Sequence, residues 1–130
     1  MPQLSGLLET SLYVEDLERS SRFYRTLFGF ESLFADTRLH ALSLGGRQVL
    51  LLFKKRGSLE LSTPHDGNGN LHVAFAIPAS ELEGWRRVLE EKKIPIEEET
   101  HWERGGRSLY FRDPDGHLVE LVTPGCWAIY

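Results

Sequence analysis

The sequence has almost nothing that would link the chain covalently to itself or hold it in a membrane. Cys126 is the only cysteine among 130 residues, so no disulfide can form within the chain. A single free thiol fits a reducing compartment. No apolar run approaches the roughly 18 residues that a membrane-spanning helix needs, and the first residues lack the basic and apolar stretches of an export signal. We therefore expect a cytoplasmic protein.

The sequence also has no concentration of charge of one sign. Its formal net charge is -4, with acidic and basic residues intermixed. Because there is no basic stripe and no basic amphipathic helix, we expect neither nucleic acid nor a membrane surface as a partner. A small-molecule ligand or a protein partner remains. The length suits one domain, and a hydrophobic content of 41% is enough for a core.

What the sequence does contain is an internal repeat. The stretches "LLETSLYVEDLERSSRFYRTLFGFES" and "LHVAFAIPASELEGWRRVLEEKKIPIEE" each predict an alternating strand followed by an amphipathic helix. Asp16 is a good N-cap for the first helix and Gly29 ends it, while Ser80 and Glu83 predict a capping box for the second. Short β-like runs follow each helix, at 39–44 and 49–53 and again at 108–112 and 118–123.

The repeat predicts an α+β fold of two βαβββ modules that form a cupped mixed sheet around a cleft. We expect one domain over residues 1–130, with module one at about 5–55, a polar linker at about 56–69 and module two at about 70–124. The run "DPDG" at 113–116 is a strong turn signal between the last two strands. Since each helix covers one face of its sheet, the other face is left to line the cleft.

Side-chain alternation places three metal-binding residue types on the cleft face. Glu9 faces the cleft from the first strand, and His72 occupies the equivalent position in the second module. Glu120 faces it from the last strand, where an unpaired carboxylate would be costly among apolar neighbours. Ligation of one shared cation would offset that cost. Two oxygen ligands and one nitrogen ligand suit Mn²⁺, Fe²⁺, Ni²⁺, Co²⁺ or Zn²⁺, so the pattern predicts a divalent metal site.

With these motifs the chain resembles the vicinal oxygen chelate superfamily, which includes glyoxalase I, extradiol dioxygenases, fosfomycin-resistance thiol transferases and bleomycin-resistance proteins. The motifs are "LYVEDLERSSRFYRTLFGFE", "LHVAFAI" and "SLYFRDPDGHLVEL". The resemblance implies metal ligands at Glu9, His72 and Glu120 and a catalytic part for both glutamates. Glu9 could leave the metal and move a proton. It also implies a homodimer, either closed or with exchanged modules, and exchange would bring Glu9 of one chain to His72 and Glu120 of the other.

The sequence departs from individual members of that superfamily in its ligand set. The fourth ligand position of glyoxalase I falls near Leu50, in a run where nothing can ligate a metal. The two histidines and one carboxylate of the extradiol dioxygenases are not matched. The fosfomycin transferases use histidine as their first ligand, and their monovalent-cation loop has no counterpart in "WERGGRS".

The cleft face also carries candidate substrate contacts. The last hairpin resembles that of the fosfomycin transferases, which implies that Ser108 and Tyr110 contact the substrate and that Ser11 lies near the reacting group. Tyr13 faces the cleft by alternation and is a further candidate for lining the pocket. The remaining histidines, His40, His65, His101 and His117, are expected on the surface or in loops, with His117 pointing to solvent.

Two hypotheses from different classes of function remain open. The first is a metal-dependent enzyme, of the lyase or isomerase, ring-opening transferase or dioxygenase type, that activates a small oxygenated substrate by Lewis-acid chemistry. The second is a metal-free protein that sequesters a drug or metabolite, as in bleomycin resistance. In that case Glu9, His72 and Glu120 would pair through hydrogen bonds. The metal content of the purified protein discriminates between the two.

Overall fold

The computed structural model describes residues 1–130 and contains two modules with the same order of elements. The first contains β1 (Glu9–Val14), α1 (Leu17–Phe28), β2 (Glu31–Ala35), β3 (Leu39–Ser43) and β4 (Val49–Lys54). The second contains β5 (His72–Ala76), α2 (Leu82–Glu91), β6 (Glu98–His101), β7 (Arg107–Arg112) and β8 (Leu118–Val122), with a single 3₁₀ turn at Ala79–Glu81 before α2. The chain divides into two compact units, residues 1–69 and 70–130.

The two sheets have the same topology. Their strand orders are β1-β4-β3-β2 and β5-β8-β7-β6. In each sheet the first and last strands of the unit pair in parallel, and the other pairs are antiparallel. The predicted α+β class and the repeated βαβββ order are confirmed. The sequence pattern did not locate β2 and β6, because β2 is exposed at every position and β6 contains no apolar residue, so neither shows the alternation of a half-buried strand.

The two helices begin in different ways. The side chain of Asp16 accepts a hydrogen bond from the Arg19 N–H, and Gly29 ends α1 in the left-handed conformation, both as predicted. The capping box predicted at Ser80 is wrong. Ser80 lies in the 3₁₀ turn, and the residue that caps α2, Glu81, makes no capping hydrogen bond with its side chain. Neither helix has the length and apolar composition of a membrane-spanning segment.

Each sheet has one deeply buried face. In the first unit the residues with almost no exposure are Leu12, Val14, Tyr24, Leu42, Leu50 and Leu52. In the second unit they are Leu89, Leu109, Phe111, Val119 and Leu121. The strand residues that alternate with these belong to the opposite face, where His72, Ala74 and Ala76 of β5 are exposed. That open face of the second sheet holds the candidate site.

Two histidines are buried where the sequence predicted exposure. His40 is 5% exposed in β3, and His117 is fully buried. The carboxylate of Asp113 accepts the backbone N–H groups of Asp115 and His117, which turns the chain so that the imidazole points inward. Its Nδ1 then accepts the N–H of Leu71 at 2.9 Å, immediately before His72. His117 thus ties the predicted turn to the start of β5.

Candidate metal centre

Strand register brings the predicted residues of the second unit into neighbouring rows of the open face. The rows are His72–Leu118–Arg112, Ala74–Glu120–Tyr110–Glu98 and Ala76–Val122–Ser108–Thr100. Glu120 occupies the middle row, between the row of His72 and the row of Ser108. Its neighbour on β5 is Ala74, whose small side chain leaves space beside the carboxylate.

His72 and Glu120 form a pair whose chemistry calls for a cation. Nε2 of His72 lies 3.2 Å from Oε1 of Glu120. Nδ1 lies 3.1 Å from the Leu118 carbonyl oxygen, and because a carbonyl only accepts, Nδ1 carries the ring hydrogen. In the neutral ring Nε2 then presents a lone pair to a carboxylate oxygen that is also an acceptor. The contact between these two acceptor atoms is favourable only when Nε2 carries a proton or a metal ion binds both atoms.

The residues present fit a divalent metal. Imidazole nitrogen and carboxylate oxygen are ligands of first-row transition metals. Two atoms 3.2 Å apart are close enough to share an ion that they bind at about 2.1 Å each. The hydrogen bond from Nδ1 to a backbone carbonyl is the kind of contact that orients a ligating histidine.

The second carboxylate oxygen of Glu120 is held from the other side. Ser108 Oγ donates a hydrogen bond to Oε2 at 2.5 Å, and Trp102 Nε1 donates to the same Oγ at 2.8 Å. Ser108 is fully buried and Glu120 is 6% exposed. The structure thus places Ser108 against the carboxylate, and its predicted contact with substrate stays a prediction. Sequence reasoning missed Trp102, because no spacing rule connects an indole in a turn with a strand carboxylate.

The first unit supplies the remaining predicted ligand, Glu9, at the exposed start of β1. Glu9 is paired in register with Val49, as His72 is with Leu118. The counterpart of Glu120 is therefore Leu51, two residues further along β4. The fourth ligand position expected near Leu50 falls on this leucine. Neither unit by itself gathers three histidine, cysteine or acidic side chains, so the part of Glu9 as the third ligand stays a prediction.

Ser11 and Tyr13 lie on the same face of β1 as Glu9, as alternation predicted. Tyr13 stacks on Phe53, and its hydroxyl lies 2.7 Å from Nδ1 of His65. Burial, with a smaller contribution from the charge of Asp66, raises the pKa of Tyr13 above its ordinary value. This hydroxyl is thus kept protonated. Whether Ser11, Tyr13 and the half-buried Tyr110 touch substrate stays a prediction.

Comparison with known proteins points to the same class. Residues 6–121 match the model of the Glyoxalase/Bleomycin resistance protein/Dioxygenase superfamily. The chain is 32% identical over 114 residues to the metallothiol transferase FosB of Staphylococcus saprophyticus, covering 85% of this chain and 71% of that protein. It is 29% identical over 125 residues to the fosfomycin resistance protein FosX of Listeria monocytogenes, covering 91% and 89%.

A solved structure extends this likeness over nearly the whole chain. The crystal structure of lactoylglutathione lyase from Agrobacterium tumefaciens superposes with a TM-score of 0.90 at 32% identity, covering 98% of this chain and 99% of that one. The fold and these relatives define a metal-dependent vicinal oxygen chelate enzyme that acts on a small substrate. The chain belongs to the Glyoxalase/Bleomycin resistance protein/Dioxygenase superfamily.

Proposed function

We propose that the protein holds one divalent metal ion through Glu9, His72 and Glu120 and acts on a small oxygenated substrate. The observation that carries the proposal is the 3.2 Å approach of two metal-ligating atoms, Nε2 of His72 and Oε1 of Glu120. The bound ion would supply Lewis-acid stabilisation of a developing oxyanion. Glu9 is the exposed carboxylate of the three residues and is the residue we assign to moving a proton, through its carboxylate oxygens.

For the reaction we propose nucleophilic opening of a small strained oxygen-containing ring by a thiol or by water. Two features support this. The curated relatives include a metallothiol transferase and a fosfomycin resistance protein. The position equivalent to Glu120 in the first unit is Leu51, which leaves three protein ligands and more open positions on the ion than a four-ligand site would have.

A lyase acting on a thiol adduct of a small aldehyde is the second candidate. It is supported by the match of nearly the entire chain to the Agrobacterium lactoylglutathione lyase, with a TM-score of 0.90. The ligand count separates the two candidates, because the resemblance implies four protein ligands in glyoxalase I.

The test begins with metal binding. Protein stripped of metal is titrated with Mn²⁺, Fe²⁺, Co²⁺, Ni²⁺ and Zn²⁺ by calorimetry, and we expect about one site per chain. His72→Ala should weaken binding by 10-fold or more, on the order of the losses known for changes around metal sites. His101→Ala is the matched control, since His101 is an exposed residue at the end of β6, and should leave binding unchanged. A wild-type protein that folds but binds none of these ions would instead support the metal-free sequestering protein.

The loaded protein is then assayed against fosfomycin with several thiols, against hemithioacetals of methylglyoxal and against catechols. Consumption of fosfomycin in the presence of thiol, lost in His72→Ala, would support ring opening. Turnover of the hemithioacetal alone would support the lyase.

We further propose that the protein is a cytoplasmic homodimer. Large apolar side chains are exposed at the N-terminal end and on strand β2, namely Leu4, Leu7, Leu8, Leu33 and Phe34. Strands β1 and β2 are the two edge strands of the first sheet, and exposed apolar residues near sheet edges are typical of surfaces that pair with another chain. Sedimentation equilibrium should give twice the mass of the 14.9 kDa chain, and a monomer at micromolar concentration would contradict the proposal.

A further inference from the structure

We propose that Trp102 and Ser108 form a positioning relay that fixes Glu120 in the orientation needed to ligate a metal. Trp102 lies in the turn between β6 and β7, and Ser108 is the second residue of β7. The inference rests on the proposed metal-binding function, because it assigns these two residues to the carboxylate that would bind the ion. Neither residue acts on the substrate in this proposal.

The direction of the relay follows from what each group can donate. An indole N–H is a donor only, so Ser108 Oγ accepts the hydrogen bond from Trp102 at 2.8 Å. The single hydroxyl hydrogen of Ser108 is therefore available to Glu120, whose Oε2 lies 2.5 Å away. That distance is typical of a hydroxyl bonded to a charged carboxylate. Trp102 thus determines the rotation of the Ser108 hydroxyl, and the hydroxyl determines which carboxylate oxygen is occupied.

Burial of Ser108 and Glu120 restricts the Glu120 carboxylate to this one orientation. Ser108 is fully buried and Glu120 is 6% exposed, so water does not compete freely for their hydrogen bonds. In such surroundings hydrogen bonds are electrostatically stronger, and losing one is costly. With Oε2 held by Ser108, Oε1 is the oxygen that faces Nε2 of His72 at 3.2 Å.

The indole is itself fixed by a short backbone turn. The N–H of Trp102 donates to the Gly106 carbonyl at 2.8 Å, and the N–H of Gly105 donates to the Trp102 carbonyl at 2.9 Å. Gly106 packs so closely on Gly125 that an added Cβ would lie 2.5 Å from the Gly125 carbonyl carbon. The donor therefore has a rigid base, as a positioning group requires.

Four variants test the relay. Trp102→Phe keeps a ring but removes the N–H, Ser108→Ala removes the hydroxyl, and Ser108→Thr keeps it. Trp127→Phe is the matched control, because Trp127 is 69% exposed near the C-terminus. We expect metal affinity, measured by calorimetry, to fall about 10-fold in Trp102→Phe and 10- to 100-fold in Ser108→Ala. The Thr variant should recover most of the loss, and the control should match the wild type.

A second measurement needs no metal. In nitrogen-15 NMR spectra of the metal-free protein, the Trp102 indole N–H should exchange slowly with solvent in the wild type and in Ser108→Thr. It should exchange faster in Ser108→Ala. Protection that is equal in all three would overturn the hydrogen-bond chain.

The failures of the relay and of the proposed function are distinguishable. Wild-type metal binding that persists undiminished in folded Trp102→Phe and Ser108→Ala overturns the relay alone. Absence of metal binding in the wild type overturns the proposed function, and with it the assignment of the relay to ligation.

Discussion

At the scale of single residues, the arrangement of the site is determined by which atoms can donate a hydrogen bond. The Leu118 carbonyl fixes the tautomer of His72, and Ser108 occupies one oxygen of Glu120. What remains is a nitrogen lone pair facing a carboxylate oxygen, 3.2 Å apart. A metal ion satisfies both atoms at once, as a proton on Nε2 also does, whereas an apolar or anionic group would satisfy neither.

Substitution of two glycines by alanine should change the stability of the protein in opposite directions. A Cβ on Gly106 would collide with backbone atoms of Gly125 and Cys126, at 2.5 and 2.7 Å. A Cβ on Gly84, inside α2, would meet only a flexible Glu81 carboxylate at 3.7 Å. We expect Gly106→Ala to lower the free energy of unfolding by about 1 kcal/mol or more, which is the order of the loss when extra atoms are forced into a well-packed region. Gly84→Ala should raise it by about 0.5–1 kcal/mol, because alanine is the better helix former.

Urea denaturation of the two variants beside the wild type provides the measurement. A Gly106→Ala protein as stable as the wild type would mean that the turn and the C-terminal segment can separate freely. That result would also weaken the claim that Trp102 has a rigid base.

The sequence could predict part of this residue-scale picture. Alternation placed His72 and Glu120 on one face, because side-chain direction in a strand has a period of two. The tautomer of His72 and the contact between Ser108 and Glu120 could not be predicted, since they depend on distances between atoms of separate strands. His117 was wrongly placed in solvent because the hydrogen bonds of Asp113 redirect the chain after the turn.

At the scale of elements, the start of each helix gives a prediction with a built-in control. Asp16 accepts the Arg19 N–H at 3.0 Å, and that hydrogen bond, the largest cause, holds the pKa of Asp16 below its ordinary value. Ser80 caps nothing. Asp16→Ala should therefore lower the thermal midpoint by roughly 3–6 °C, as the loss of an N-cap does, whereas Ser80→Ala should leave it nearly unchanged.

Thermal unfolding followed by circular dichroism checks the pair. Equal losses in the two variants would show that the 3₁₀ turn before α2 depends on Ser80 after all.

Glu99 in β6 links two other elements, and its charge should make the stability of the protein depend on pH. Its Oε1 accepts hydrogen bonds from Arg86 of α2 at 2.8 Å and from Arg107 of β7 at 2.7 Å. The hydrogen bond from Arg86 is the largest cause of a pKa of Glu99 below its ordinary value. The folded protein therefore binds fewer protons at this site than the unfolded chain, so the stabilisation is present above the ordinary glutamate pKa and is lost as pH falls through the lower folded value.

We expect Glu99→Gln to be less stable than the wild type at pH 7 by about 1 kcal/mol, a figure suited to a partly exposed ion pair. The difference should shrink as the pH falls below the ordinary glutamate pKa and through the lower folded pKa of Glu99, because the wild-type carboxylate is then protonated as well. Glu98→Gln, at the exposed neighbouring position in β6, is the control and should be as stable as the wild type at pH 7. A constant difference from pH 7 to pH 3 would contradict the assignment to charge.

Element prediction from sequence succeeded where burial imposes a period and failed where it does not. Helix α1 and strands β1, β5 and β8 have an apolar face, so their patterns were visible. Strand β2 is exposed throughout, and β6 is recognised only through its pairing with β7. Such edge strands are defined by backbone hydrogen bonds to a neighbour, which leave little trace in residue type.

At the scale of the whole molecule, the polar stretch predicted as a linker at about 56–69 belongs to the first unit. Several of its residues make contacts within that unit. The Arg56 N–H donates to Asp66, and the Arg38 guanidinium donates to the buried Ser58. Gly67 lies so close to Tyr13 that an added Cβ would be 2.3 Å from the ring. The first unit ends at Gly69 and the second begins at Asn70.

Exchange of modules between the two chains of the proposed homodimer would make each metal site draw Glu9 from one chain and His72 with Glu120 from the other. Glu9→Ala and His72→Ala homodimers should each bind little metal. Refolding an equal mixture should restore about a quarter of the wild-type sites, since half of the dimers are mixed and each mixed dimer has one intact site of its two.

Calorimetric site counts on the mixture and on each variant refolded alone provide the measurement. No recovery on mixing would mean that each site is completed within one chain, and normal binding by Glu9→Ala alone would remove Glu9 from the ligand set.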